Sequence, residues 1–308
     1  MPPFLPRRTL GRTGFHATRL GIGDLADRSV PIDECVATLR RALDAGLNIV
    51  DTAPGYEDGY SEEIVGRAVH GRREHVFVID KIDDLESAVT PQIDASLGRL
   101  DLPSADAFVL HNLSSMETFE KLARRGRAFD EMEECIRQGK MRFRGISSHD
   151  PGVLRAALEA DLCDIVMFPL GPFVDPRYVE EVLPLARKHH AGTACFKTFG
   201  AGKLVGDTTG YNQPLRARPR GKVSSGGSDG AVALLPHLAV RDCVHYTLTL
   251  DPDVALLGLS FPNEQDEAFA AALDFEPLSP ARMEEIRVAA AEARKEKGPC
   301  WWNPDPEA

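Results

Sequence analysis

Five apolar runs along the chain each end at a side chain that can hold or move a proton. Asn48-Ile49-Val50 ends at Asp51, Val76-Phe77-Val78-Ile79 leads to Lys81, and Ala107-Phe108-Val109-Leu110 ends at His111. Phe143 to Ser147 closes on a serine, and Thr193-Ala194-Cys195-Phe196 ends beside Lys197. Tyr56 follows shortly after Asp51. A buried lysine next to an aspartate is held charged, and an ammonium beside a phenol lowers the phenol pKa from its ordinary value near about 10. A tyrosine tuned in this way gives a proton to a carbonyl oxygen as it becomes an alkoxide, or takes it back in the reverse direction. A histidine beside it orients the carbonyl and donates a hydrogen bond to the developing oxyanion. Taken singly, each residue has an ordinary reading: a loop pair, a solvated strand-end lysine, a hydrogen-bonded structural histidine. Their combination at three successive strand ends carries the functional one.

The elements that position these residues follow from the spacing. β-branched or apolar runs alternate with longer amphipathic stretches, the pattern of βα units around a parallel sheet. Helical spacing covers Pro31 to Ala45, Pro91 to Leu100, Phe119 to Gln138, Pro151 to Ala160 and Tyr178 to His189. Strand ends recur roughly every 30 residues, and runs at Leu20–Gly23, Ile165–Phe168 and Val254–Gly258 bring the count to eight units, the size of a (β/α)8 TIM barrel. A doubly wound open sheet is the structural alternative. The reading is one barrel domain over residues 1–308, with the active site at the C-terminal ends of the strands. Arg8 to Phe15 forms an N-terminal hairpin plugging the barrel bottom. A Gly-, Ser- and Pro-rich loop spans about 204–230. The tail, about 281–308, starts as a charged helix with Met283, Ile286, Val288 and Ala289 on one side. Trp301 and Trp302 either anchor this tail or wall the pocket, anchoring being favoured.

With 308 residues, 43% apolar, the chain can bury a full core without disulfides or metals. A net charge of −11 argues against a protein that works by neutralising nucleic-acid phosphates. No stretch approaches the roughly 20 apolar residues that span a bilayer, and the proline-broken N-terminus is not a secretory signal. Six scattered cysteines without a C-x-x-C pair read as reduced, packed thiols of a cytoplasmic protein. Clustered metal ligands are missing, which argues against a structural zinc and against a metal-dependent hydrolase.

The run Asp51-Thr52-Ala53-Pro54-Gly55-Tyr56 resembles the Asp-Thr-Ala-x-x-Tyr signature of aldo-keto reductases. Phe77 to Lys81 is similar to that family's third strand, Phe108 to Asn112 to its fourth, Arg144 to His149 to its fifth, and Phe196 to Gly200 to its seventh. The resemblance runs in order from about Arg8 to Glu267. It implies Tyr56 as general acid/base, Lys81 as the group depressing its pKa, Asp51 as the anchor of Lys81, and His111 as the substrate-orienting donor. It also implies NADP or NAD as cofactor, with Ser147 and Ser148 on the nicotinamide carboxamide and Phe196 stacked on the ring. Lys197 borders that site, and Gly200-Ala201-Gly202 brings backbone amides near the pyrophosphate. The substrate implied is a small carbonyl compound or its alcohol, handled without a metal.

Three positions depart from the family pattern. Met167 stands where a glutamine usually meets the carboxamide, and it cannot donate. Leu259-Ser260-Phe261-Pro262-Asn263-Glu264-Gln265, at the adenosine end of the cofactor, carries no base for a 2′-phosphate, so Ser260 and Glu264 leave room for NADH. Lys203, Arg216, Arg218 and Lys222 on the long loop are the substitutes available for NADPH. Asp24-Leu25 replaces the aromatic common after the first strand. His149, His189 and His190 read as surface or cap residues. Two rivals stand beside the reductase: a non-catalytic nicotinamide-binding regulatory subunit on the same barrel, and a lyase with a Schiff base on Lys81 or Lys197. The intact tetrad opposes the first. Asp51, by keeping Lys81 protonated, opposes the second.

Overall fold

Side-chain alternation along the strands builds the molecule. In β5 (Phe77–Ile82), Phe77 and Ile79 join one apolar cluster, while Val78 and Ile82 join another. The same division separates Ile49 from Val50 in β4 (Ile49–Asp51), Ala107 and Val109 from Phe108 and Leu110 in β6 (Ala107–Leu110), and Ile165 and Met167 from Val166 and Phe168 in β8 (Ile165–Pro169). The computed structural model describes residues 6–207, 232–259, 261–300 and 302–303. Its eight parallel strands close into a barrel, adding β3 (Leu20–Ile22), β7 (Phe143–Ser147), β9 (Gly192–Phe196) and β10 (Val254–Leu257), with β10 pairing both β3 and β9. The smaller cluster fills the barrel interior, and the larger lies between strands and helices. Apart from the half-buried start of β7 and end of β9, the barrel strands are thus buried on both faces, as parallel sheets require.

The register matters for the site. Asp51 pairs with Ile79 and Lys81 with Val109. Each residue two beyond an interior apolar residue therefore enters the next layer up. That puts Asp51 above Ile49, Lys81 above Ile79, and His111 above Val109.

The expected hairpin is present: β1 (Arg7–Thr9) pairs antiparallel with β2 (His16–Thr18). Leu10, fully buried, joins the interior cluster, and Phe15 packs on Phe77, so the hairpin closes the end where β5 and β9 begin. Closure is tight enough that a Cβ on Gly11 would lie 2.2 Å from the Gly192 backbone nitrogen.

Around the barrel lie α1 (Ile32–Asp44), α2 (Tyr60–Val69), α3 (Val89–Leu100), α4 (Met116–Leu122), α5 (Ala128–Arg137), α6 (Pro151–Glu159) and α7 (Leu183–Lys188), then α8 (Val240–Leu250), α9 (Pro262–Leu273) and α10 (Pro280–Ala293). Two helical expectations need correction. The stretch from Phe119 to Gln138 is two helices, because Gly126 adopts φ +74° and Asp130 accepts its N–H, ending one helix and starting the next. In α10 the buried side is Ile286, Ala290 and Ala293 with Met283 at its edge, packed on Cys243 and Tyr246. Val288 is 57% exposed, and Ala289 also faces out. The helix period carries Met283 and Ile286 to Ala290 and leaves Val288 behind. From Tyr178 to Val182 the expected helix opens as a π-turn before α7.

Most of the expected 204–230 loop (208–231), with Arg216, Arg218 and Lys222, lies outside the described residues, as do Ser260 and Trp301. No disulfide is present; five cysteines are buried and Cys300 is half-buried.

On its outer face, β5 carries an unusual pair. Asp80 is fully buried and feels the nearby carboxyl of Glu62 in α2. Burial and the Glu62 charge push the Asp80 carboxyl well above the usual carboxylate range. Glu62 in turn holds Arg99 of α3 in a two-pronged ion pair.

Candidate active site

Lys81 is 2% exposed, and its ammonium donates to both Asp51 oxygens, at 2.6 and 2.7 Å, and to the Thr52 carbonyl at 2.8 Å. All three ammonium protons are therefore committed, which fixes the amine where β4 and β5 end. Burial pushes the Asp51 carboxyl up, and the Lys81 charge pulls it back only in part. The same ammonium lies 4.5 Å from the centre of the Tyr56 ring. His111 meets that ring edge-on, with centroids 5.7 Å apart. Asp51, Lys81, Tyr56 and His111 thus form one contiguous group at the C-terminal mouth of the barrel.

A fifth residue joins them that sequence reasoning did not single out. Asp83, two residues beyond Lys81, accepts from His111 Nδ1 and, at 2.7 Å, from the Gly55 N–H. Burial opposes ionisation of Asp83, but its contacts with His111 and Lys81 outweigh that and hold its carboxyl below the usual range. Burial lowers the His111 pKa below its ordinary value, Lys81 adds to the effect, and Asp83 offsets part of it. In sequence Asp83 is an ordinary loop acid; only the fold brings His111 and Gly55 to it.

His149 also departs from expectation. It is half-buried rather than on the surface, with its ring 5.3 Å from Phe196 and Nδ1 3.0 Å from Asn112 Oδ1. Burial, then the Lys197 and His111 charges, hold its pKa well below the ordinary value. Lys197 adopts φ +74°, and its amine sits between the Phe196 and Trp302 rings, 5.4 and 5.2 Å from their centres. Trp302 is fully buried. It therefore anchors the tail and borders the Lys197 side of the mouth at once.

The two serines divide their roles. The Ser148 hydroxyl accepts the Asp150 N–H at 3.0 Å in the turn where Asp150 caps α6. The Ser147 hydroxyl, on a residue 2% exposed, has no hydrogen bond among the described residues. Thr198, 1% exposed, likewise holds an unsatisfied hydroxyl. An unpaired buried hydroxyl such as that of Thr198 is costly unless a partner completes it. Met167 is fully buried in the barrel interior and offers no donor there. Gly200 has φ +55°, and a Cβ on it would press on Leu204 at 2.9 Å, so a side chain there is excluded on both counts.

At the far end, Glu264 accepts the Phe261 N–H at 3.1 Å, closing the first turn of α9. Arg41 of α1 reaches the same segment, bonding Gln265 at 2.9 Å and pairing with Asp266. Lys203 is fully buried and donates to the Lys297 carbonyl, while Lys297 donates back to the Lys203 carbonyl at 2.8 Å. Lys203 is thus committed to tying the tail. Among the described residues no group of three His, Cys, Asp or Glu could hold a metal ion. None of their helices is long and apolar enough to cross a membrane.

The model of the Aldo/keto reductase family matches residues 19–225. Aldo-keto reductase YhdN of Bacillus subtilis is 27% identical over 65% of this chain and 64% of its own, so the match spans just under two thirds of that relative. An NADH-specific methylglyoxal reductase of Escherichia coli is 27% identical over 68% of this chain and 70% of its own. A Klebsiella pneumoniae aldo-keto reductase in complex with NADPH superposes with a TM-score of 0.67 at 20% identity, covering 95% of this chain and 97% of that one. At that identity the likeness concerns the fold.

Proposed function

The chain belongs to the aldo/keto reductase family, and we propose that it interconverts an aldehyde or ketone and the corresponding alcohol with a nicotinamide cofactor. The observation that carries this reading is the Lys81 ammonium, pinned by three hydrogen bonds and set 4.5 Å from the Tyr56 ring centre, with His111 on that ring's edge. A fixed positive charge stabilises the phenolate, so Tyr56 can release its proton to a forming alkoxide and recover it. Asp51 accepts two of the Lys81 hydrogen bonds and so holds the amine beside the ring. His111, edge-on to the Tyr56 ring, would meet the same oxygen and limit its orientation.

Ser147 and Thr198 carry the unfilled hydrogen-bonding capacity that a carboxamide requires, and Phe196 provides the ring platform. When bound, the nicotinamide supplies or accepts the hydride. Met167, fully buried in the barrel interior, would give a carboxamide no donor from β8. At the adenosine end, Glu264 is spent as a helix cap, and the nearby guanidinium of Arg41 is paired with Asp266. A 2′-phosphate would have to compete with that carboxylate, which leaves room for NADH beside NADPH. The two relatives named for each nucleotide leave both within the family's range.

The test is a steady-state assay with a panel of small aldehydes and ketones and each nucleotide, on wild-type protein and Tyr56→Phe. Tyr56→Phe is expected to lose about 100-fold or more in kcat, the usual worth of general acid catalysis, with nucleotide affinity unchanged. A Tyr56→Phe variant turning over at the wild-type rate would remove Tyr56 from its role. A wild-type protein that binds nucleotide but reduces nothing would favour the regulatory-subunit reading.

A further inference from the structure

The contact between Asp83 and His111 is the feature of the mouth that the tetrad leaves unexplained. Asp83 follows the last residue of β5, so it belongs to the loop above the barrel rather than to a strand. From there one carboxylate oxygen meets His111 Nδ1, and the other takes the Gly55 N–H at 2.7 Å, one residue before Tyr56. A single side chain thus ties the loop bearing Tyr56 to the ring of His111.

We propose that Asp83 is a positioning residue of the reaction described above, fixing the proton of neutral His111 on Nδ1 and leaving Nε2 as the nitrogen offered to the reacting oxygen. The inference rests on the proposed oxidoreductase reading. An ionised carboxylate can only accept, so the ring nitrogen facing it must carry hydrogen. In the neutral ring the other nitrogen is then an acceptor, suited to receiving the O–H of an alcohol. It becomes a donor to a carbonyl oxygen only when the ring takes a second proton.

The groups facing His111 are Lys81 of β5, Asp51 of β4, Asp83, the Tyr56 ring edge, and His149 beyond β7. Burial and Lys81 favour the neutral ring, while Asp83 and Asp51 favour the charged one. The balance leaves His111 below its ordinary pKa, so the ring is neutral near pH 7. Carbonyl reduction therefore gains as pH falls through the His111 titration, and Asp83 sets where that gain occurs.

The experiment compares wild type, Asp83→Asn and Asp83→Glu. The kcat/KM for carbonyl reduction is measured against pH, nucleotide affinity by protein fluorescence, and histidine tautomer by nitrogen-15 NMR of the full chain, with His111 assigned from His111→Gln. The wild type is expected to show neutral His111 with its proton on Nδ1. Asp83→Asn removes the charge and one of the two acceptors. It is expected to mix the tautomers, to lower the His111 pKa further, and so to cost about tenfold in kcat/KM on the alkaline side of that titration. Nucleotide affinity stays unchanged, and Asp83→Glu keeps the acid limb at its wild-type position. Three results would overturn the assignment: a wild-type Nε2–H tautomer, a tautomer and pH profile unmoved in Asp83→Asn, or a loss of activity uniform across pH. If the wild type reduces no carbonyl in the panel, the functional reading falls, and the NMR arms still decide the role of Asp83.

Discussion

Replacing Lys81 by methionine isolates the charge at the centre of the site. Methionine keeps most of the apolar stem but leaves Asp51 facing a buried space with no cation and no ammonium hydrogen bonds. Breaking one partner from a buried ion pair costs about 3–5 kcal/mol, a large part of the roughly 5–15 kcal/mol that holds a domain folded. Asp51 can limit that loss by taking a proton, each unit of pKa being worth about 1.4 kcal/mol. Its carboxyl already sits above its ordinary range through burial, and without Lys81 it moves further up. A carboxyl whose folded pKa is raised contributes stability below its unfolded pKa and loses it as pH rises through the folded one. Lys81→Met should therefore be mildly destabilised near about pH 5 and lose several kcal/mol by about pH 8, while wild type changes less over that window. Urea unfolding followed by far-ultraviolet circular dichroism at the two pH values measures the difference. The companion Lys81→Met/Asp51→Asn should recover stability at the higher pH, since no anion remains to be neutralised. A single variant within about 1 kcal/mol of wild type at both pH values, or a double variant no better than the single one at high pH, would refute a buried, mutually dependent pair.

Two further outcomes follow from the same geometry. Burial and Glu62 raise the Asp80 pKa in the folded state, so its share of the stability is present at low pH and fades as pH rises through that raised pKa. Asp80→Asn, which keeps a donor for Glu62, should flatten that alkaline decline in urea titrations, and an unchanged decline would show that Asp80 is not its source. Ser147→Ala removes a hydroxyl without a partner among the described residues, so thermal stability should stay within about 0.5 kcal/mol of wild type. Nucleotide affinity should fall by up to about tenfold, the worth of one hydrogen bond. Loss of stability with unchanged affinity would show that the hydroxyl serves the fold and not the cofactor.

Much of this molecule could be read along the chain because its governing rules are local. Period-two alternation in Phe77-Val78-Ile79-Asp80-Lys81 assigns one side of the strand to the barrel interior, and Lys81 shares it. The same alternation carries Asp51 and His111, so three of the four central groups follow from strand ends alone. The residues that escaped are those whose neighbours come from elsewhere in the chain. Asp83 looks like an ordinary loop acid until β6 brings His111 to it, and nothing within its own stretch distinguishes it from Asp84, which caps nearby turn residues. His149 reads as a cap residue, yet the loop after β7 folds it onto Phe196 of β9. Ser147 and Ser148 are equivalent in sequence, and only the turn into α6 engages one hydroxyl and leaves the other open. Lys203 reads as a loop cation for a phosphate until the tail returns and exchanges backbone caps with it through Lys297. Local periodicity and capping chemistry thus specify elements and the layer each side chain enters. Pairings across the barrel mouth depend on closure, register and loop path, which arise only when distant segments meet.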